Sequence, residues 1–225
     1  MSLLETIEIQ TAPNPTAAVI WMHGLGADGN DFVPIVKELD LAGAPAIRFV
    51  FPHAPTRPVT INNGYVMRAW YDISFGDLEG NTRKADAQGV RESQAQIEAL
   101  IARENGRGIA GSNIVLAGFS QGGAMALHTG LRHAQKLAGV MALSCYLPLA
   151  ESFAREAAAA NCKTPVFMAH GMHDPVVPHA MGRASADMLQ RAGYAVEWHE
   201  YPMQHSVCLE EVADIGRWLS TLLQS

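Results

Sequence analysis

The sequence has few cysteines, no long apolar run and no basic excess, and each lack argues against a class of protein. Its three cysteines, Cys145, Cys162 and Cys208, are an odd number without metal-knuckle spacing, so a reducing compartment is favoured over a disulfide framework. No window reaches the roughly 20 apolar residues that span a bilayer. The formal net charge of -6 argues against nucleic acid, whose phosphates demand a basic face.

Signals for export, membrane attachment and division into domains are also missing. Residues 1–15 have no basic start and no apolar core, and they contain Glu5 and Glu8, so we predict no secretion signal and a cytoplasmic location. The sequence also has no basic amphipathic segment, so we predict no stable membrane insertion. Without repeats or a Pro/Gly/Ser-rich linker, residues 1–225 are expected to form one domain. The oligomeric state stays open, with a homodimer as one candidate.

Short apolar runs alternate with stretches of helical spacing along most of the chain. The strand-like runs are residues 17–22, 47–51, 113–117, 137–143, 165–169 and 194–201. The helix-like stretches lie near residues 32–39, 90–101, 121–131, 181–189 and 212–222. Strands that are apolar on both faces and separated by helices predict an α/β fold with a mostly parallel sheet that is covered on both sides.

A dinucleotide site is one alternative for such a sheet. Gly24, Gly26 and Gly29 satisfy the G-x-G-x-x-G spacing after the first of these strands. A ribose-binding acid would be expected at the end of the second strand, but that strand ends in Phe51 and Pro52. The context therefore does not support a nucleotide-binding reading.

Residues 118–122 read GFSQG and match G-x-S-x-G between a predicted strand and a predicted helix. In that context a sharp turn lifts the hydroxyl of Ser120 to the carboxyl end of the sheet, and glycines at 118 and 122 avoid a collision across the turn. Ser120 is therefore the predicted nucleophile. The alternative is a glycine-rich turn with an incidental serine.

A serine nucleophile on this fold takes its acid and its histidine from later in the chain, in that order. Asp174 follows the strand that ends at residue 169, and His205 lies in the loop before the last helix. His205 is the predicted base and Asp174 its orienting acid. His179 falls at a helix start and His199 inside a strand, so neither suits the base. The alternatives are a turn aspartate and an exposed loop histidine.

Two further features of these loops bear on chemistry. A zinc site is one alternative for His170, His173, Asp174 and His179, but their spacing matches no common zinc motif. Backbone amides of Leu25 and Gln121 are the predicted oxyanion hole, since one follows an early strand and the other follows the nucleophile. His23 either braces the first of these loops or simply packs in the core.

These segments together resemble the phospholipase/carboxylesterase family of α/β-hydrolases, which includes acyl-protein thioesterases. The resemblance covers nearly the whole chain and rests on WMHGLG at 21–26, WYD at 70–72, GFSQGG at 118–123, LSCYLP at 143–148, HG at 170–171, DPVVP at 174–178 and HS at 205–206. Met203 and Gln204 depart locally from the small residues expected before the histidine.

The resemblance implies a small α/β-hydrolase fold without a separate cap domain and without a cofactor or metal. It also implies that residues 62–78 lie over the site and help to form an acyl channel. Carried over to this sequence, the substrate-binding residues are Trp70, Tyr71, Ile73 and Leu147.

The function predicted first is a carboxylesterase that cleaves short to medium acyl esters through a Ser-His-Asp acyl-enzyme mechanism. The partner is then a small-molecule or lipid-like acyl ester. An acyl-protein thioesterase or a lysophospholipase is the alternative within hydrolases. Outside enzymes, the alternative is a ligand-binding protein on a hydrolase scaffold, although all three triad positions are filled here.

Overall fold

A computed structural model describes residues 3–74 and 86–224, and its centre is one seven-stranded sheet. The strands are β1 (Thr6–Gln10), β2 (Ala17–Met22), β3 (Ile47–Pro52), β6 (Ile114–Phe119), β7 (Gly139–Leu143), β8 (Val166–Gly171) and β9 (Val196–Tyr201). Between β3 and the first helix, β4 (Thr56–Val59) and β5 (Tyr65–Arg68) form a separate antiparallel hairpin.

The sheet order is β1-β3-β2-β6-β7-β8-β9, and every pairing is parallel except β1 with β3. Parallel neighbours require crossover connections, which bring the carboxyl ends of β2, β6, β7 and β8 to one edge of the sheet. The loops that follow these strands carry the predicted site residues. The α/β prediction is confirmed, and all six predicted strands lie in this sheet.

The helices are α1 (Ala87–Gly106), α2 (Gln121–Gly130), α3 (Ala150–Glu156), α4 (His179–Arg191) and α5 (Leu209–Leu223). Four of them pack on one face of the sheet, whereas α5 packs on the other face with the 3-10 helix Val33–Lys37. All six residues of strand β2 are buried. Its side chains point alternately to both faces of the sheet, so both faces are covered by helices. Within the described residues, no helix is long and apolar enough to cross a membrane.

One predicted helix differs from the structure, and three elements of the structure had no prediction. The stretch near residues 32–39 forms the short 3-10 helix, in which Pro34 stands near the start and cannot donate a backbone hydrogen bond. Strand β1, the β4–β5 hairpin and α3 were not predicted. Most residues of β1 and of the hairpin strands are exposed or only partly buried, so these strands lack the apolar run that marks the central strands.

Candidate active site

Ser120 lies in the turn between β6 and α2, with a backbone conformation that L residues rarely adopt. Its φ is 55° and its ψ is -121°. The backbone amide of Ser120 donates to the Leu143 carbonyl at 2.8 Å, and the Ser120 carbonyl accepts from the Ala124 amide at 3.0 Å. These bonds from a neighbouring strand and from the helix hold the strained turn in place.

The two glycines that flank Ser120 are required by the close approach of backbones. A Cβ atom on Gly122 would overlap the carbonyl groups of Met22 and His23, and one on Gly118 would overlap the backbone of Gly122. The start of α2 therefore sits directly against the end of β2. This packing brings the loop after β2 beside the serine.

The hydroxyl of Ser120 is the end of a three-residue hydrogen-bond relay. Its Oγ lies 2.9 Å from Nε2 of His205, and Nδ1 of His205 lies 2.6 Å from Oδ2 of Asp174. The ring of Phe119 packs on the imidazole with a centroid separation of 4.7 Å. Three residues from three separate loops thus meet at the carboxyl edge of the sheet with the geometry of a proton relay.

Asp174 is buried and held from its other side. Its Oδ1 accepts hydrogen bonds from the backbone amides of Val176 and Val177 at 2.8 and 2.9 Å. Both donors lie within three residues, so the acid loop folds around its own carboxylate. One carboxylate oxygen is thereby left to face His205.

The loop that carries His205 rests on the backbone of the β8 end. A Cβ atom on Gly171 would overlap the carbonyl groups of Met203 and Gln204, and the His173 amide donates to the Met203 carbonyl at 3.0 Å. These contacts use main-chain atoms at positions 203 and 204. The local departure at these two positions from the family pattern is therefore compatible with the placement of His205.

His23 braces the loop after β2. Its Nδ1 donates to the Gly24 carbonyl at 2.7 Å, and its Nε2 accepts from the Ala54 amide at 3.0 Å. Burial lowers the pKa of His23 to about 4, so the ring is neutral at pH 7 and one tautomer satisfies both bonds. Leu25, in the braced loop, lines the same cavity as Ser120 and Gln121.

A mostly apolar cavity of about 180 Å³ opens beside the serine. It is lined by Leu25, Ile61, Asn62, Tyr71, Ile73, Ser120, Gln121, Tyr146, Val176 and Val177. Of the predicted substrate-binding residues, Tyr71 and Ile73 belong to this lining. Positions 75–78 of the predicted covering stretch lie outside the described residues.

Trp70 and Leu147 do not line the cavity, and both are buried behind it. The indole Nε1 of Trp70 donates to the His23 carbonyl at 2.9 Å, and the Leu147 amide donates to Oγ of Ser185 at 2.9 Å. In each case the neighbour in sequence, Tyr71 or Tyr146, faces the cavity instead.

Sequence reasoning missed part of the lining. Val176 and Val177 follow the acid directly, and Tyr146 stands inside a motif that carried the family resemblance, so these three had a usable signal. Ile61 had none, because it belongs to the 3-10 helix Thr60–Asn62 that connects the unpredicted hairpin strands.

The other histidines near the site do not belong to the relay of Ser120, His205 and Asp174. His179 starts α4 and lies 3.1 Å from Glu200, and His199 in β9 lies 2.8 Å from Glu197. His170 is buried against the acid loop. Over residues 3–74 and 86–224, no three His, Cys, Asp or Glu side chains are grouped as metal ligands.

Comparisons with known proteins place the chain in a family. A family model described as phospholipase/carboxylesterase matches residues 5–223. The chain is 43% identical to acyl-protein thioesterase 1 of Neurospora crassa, over 92% of this chain and 87% of that protein. It is 37% identical to acyl-protein thioesterase 1 of Cryptococcus neoformans, over 98% of each chain.

Solved structures show the same fold. Arabidopsis thaliana SOBER1 superposes with a TM-score of 0.84 at 31% identity, over 92% of this chain and 99% of that one. Acyl-protein thioesterase 2 of Zea mays superposes with a TM-score of 0.82 at 26% identity, over 97% of this chain and 99% of that one.

Proposed function

The chain belongs to the phospholipase/carboxylesterase family, and on that premise we propose that it is a serine hydrolase that cleaves acyl thioesters, with acylated protein thiols as its substrate class. The observation that carries the mechanism is the continuous relay from Ser120 through His205 to Asp174, at 2.9 and 2.6 Å. Both contacts lie within hydrogen-bonding distance, as a proton relay requires.

The proposed reaction has two acyl-transfer steps. Oγ of Ser120 attacks the acyl carbon while Nε2 of His205 takes the hydroxyl proton, and the C–S bond breaks as the imidazolium returns that proton to the sulfur. Water then attacks the acyl-enzyme with His205 as base, which frees the carboxylic acid and restores Ser120. Asp174 holds the imidazole in the required tautomer throughout.

The negative charge that develops on the acyl oxygen needs fixed donors. Leu25 and Gln121 line the cavity beside Ser120, and we assign their backbone amides to the oxyanion. Gln121 opens α2, so its amide is one of the helix's first N–H groups, which lack an acceptor within the helix. One such donor contributes on the order of 3 kcal/mol to transition-state stabilisation.

The relatives support the thioester reading over the carboxylesterase reading that the sequence favoured first. The two curated relatives described above are both named acyl-protein thioesterase 1. A carboxylesterase of short acyl esters stays a second candidate because the cavity is small. Its volume in the described residues is about 180 Å³, below the roughly 300–1,000 Å³ of typical ligand pockets, and a small cavity suits a short acyl group.

The predictions about partners stay predictions. They are a lipid-like acyl substrate, no nucleic acid, no stable membrane insertion and a candidate homodimer. Apart from substrate and water, the proposed steps use only groups of the chain itself, and the absence of a cofactor stays a prediction from the resemblance.

A matched pair of substrates tests the proposal. One peptide carries an acyl group on cysteine sulfur and the other carries the same group on serine oxygen. We expect kcat/KM for the thioester to exceed that for the ester by more than the ratio of their rates with hydroxide. An equal or smaller ratio would favour the carboxylesterase.

The same assay includes Ser120→Ala, which should abolish both activities and covalent labelling by a fluorophosphonate. Acyl-CoA and lysophosphatidylcholine complete the panel. If lysophosphatidylcholine were the best substrate, the thioesterase proposal would fail while the serine mechanism stood.

A further inference from the structure

The side chain of Gln121 makes two buried hydrogen bonds to one segment of the cavity wall. Its Oε1 accepts from the backbone amide of Trp70 at 2.8 Å, and its Nε2 donates to the carbonyl of Tyr71 at 2.8 Å. Only 4% of Gln121 is exposed. The oxyanion assignment concerns the backbone of this residue, so its side chain is free for another role.

These two bonds require an amide at the end of a long side chain. One amide supplies a donor and an acceptor without charge, which is what a neighbouring N–H and C=O demand in a buried place. A carboxylate offers no donor, and an apolar side chain would leave both backbone groups without their partner. Leaving such a group unsatisfied costs about 1–3 kcal/mol.

The segment that Gln121 holds is part of the cavity. Tyr71 and Ile73 line it, and Trp70 lies behind them, with its indole on the His23 carbonyl and its own carbonyl on the hydroxyl of Ser93. Gln121 thus links the wall that faces an acyl chain to the helix start that carries the nucleophile.

We infer that the Gln121 side chain is a specificity-determining clamp that sets the position of the Tyr71 wall and thereby the acyl-chain length that the enzyme accepts. The inference rests on the proposed function, because it assigns the cavity to the acyl group. Without the clamp, the wall can shift relative to Ser120. Longer acyl groups, which contact more of the wall, then lose more than short ones.

Gln121→Met tests the clamp because it keeps the length of the side chain and the backbone amide but removes both bonds. We expect kcat/KM for an octanoyl ester to fall about tenfold more than kcat/KM for an acetyl ester, since small misplacements of a bound group are costly. The matched control is Gln94→Met, which removes a glutamine bond to His128 at 3.1 Å and should leave the octanoyl-to-acetyl ratio unchanged.

Gln121→Glu gives a second test, which distinguishes loss of the two hydrogen bonds from a general loss of packing. The protonated acid can accept from Trp70 and donate to Tyr71, whereas the carboxylate cannot donate. The octanoyl-to-acetyl ratio of Gln121→Glu should therefore approach the wild-type ratio as the pH falls, while that of Gln121→Met stays low. His23 and His205 are the same in both variants, so comparing the two variants cancels any contribution from these residues.

Binding without turnover separates this inference from the proposed function. Octanoate binding by calorimetry should be weaker in Ser120→Ala/Gln121→Met than in Ser120→Ala. Equal binding, or an unchanged octanoyl-to-acetyl ratio in both Gln121 variants, would overturn the clamp. A wild-type protein that binds octanoate but hydrolyses no acyl substrate would instead overturn the proposed function.

Discussion

Nε2 of His170 lies 3.4 Å from Oδ2 of Asp174, the same oxygen that contacts His205 at 2.6 Å. Nε2 of His170 also donates to the Val177 carbonyl at 2.9 Å, so the ring ties the acid loop to the end of β8. Burial lowers the pKa of His170, which keeps the ring neutral at pH 7. His170 therefore adds a donor beside the carboxylate without adding a charge.

Replacing His170 should disturb the acid loop without touching substrate. We expect His170→Phe to lower kcat about tenfold with little change in KM, because Asp174 would no longer be held in line with His205. His170→Gln, whose amide places a donor near the position of Nε2, should restore most of the activity. If the Phe and Gln variants were equally impaired, the ring would serve packing alone.

Asp174→Asn should separate the electrostatic role of the acid from its structural role. The remaining carbonyl oxygen can still accept from Val176 and Val177, but the new amide group presents a donor to His205. We expect kcat to fall about 10⁴-fold because the imidazole is then held in the wrong tautomer, with a small change in melting temperature.

Asp187→Asn is the control for that substitution. Asp187 pairs with Arg183 at 2.9 Å on the exposed side of α4, where an ion pair contributes little. Activity of this variant should match the wild type. A similar loss in both variants would show that the assay reports folding rather than the relay.

Gly122→Ala should destabilise the protein because the new methyl group would overlap the carbonyl groups of Met22 and His23. The helix would have to move away from β2, so both the unfolding midpoint in urea and the activity should fall. Gly106→Ala makes the same chemical change at the end of α1, where the structure has open space. That variant should be neutral or up to about 1 kcal/mol more stable.

Glu211 gives a prediction for the pH dependence of stability. Burial raises the pKa of this carboxyl to about 8 from its ordinary 4.5, although the backbone amide of Cys208 opposes the rise. Between these two values the folded state holds a proton that the unfolded state has lost. The contribution of Glu211 to stability is therefore full below pH 4.5 and is lost as the pH rises through 8.

Glu211→Gln removes this titration and keeps a side chain of nearly the same size and shape. We expect its melting temperature to exceed that of the wild type at pH 8.5 by several degrees, and the difference to shrink as the pH falls toward 5. Glu210→Gln, at the neighbouring exposed position, is the control and should show no such trend. A difference independent of pH would contradict the raised pKa.

The sequence predicted the structure well at strands buried on both faces and at the turn that holds the serine. The apolar runs predict the central strands because both of their faces are covered, and G-x-S-x-G between a strand and a helix predicts the serine turn. Asp174 and His205 were predicted from their order in the chain. In the structure, Asp174 contacts His205 and His205 contacts Ser120, both at hydrogen-bonding distance.

What the sequence by itself determined is the alternation of strands and helices and the identity of the three relay residues, since periodicity and turn motifs are properties of neighbours along the chain. Only the tertiary structure decided that Tyr71 and Tyr146 face the cavity while Trp70 and Leu147 lie behind it. It alone also showed that Gln121 and His170 support the site. These outcomes depend on contacts between residues up to 51 positions apart, as between Trp70 and Gln121, and no local pattern encodes which side of a loop will meet such a partner.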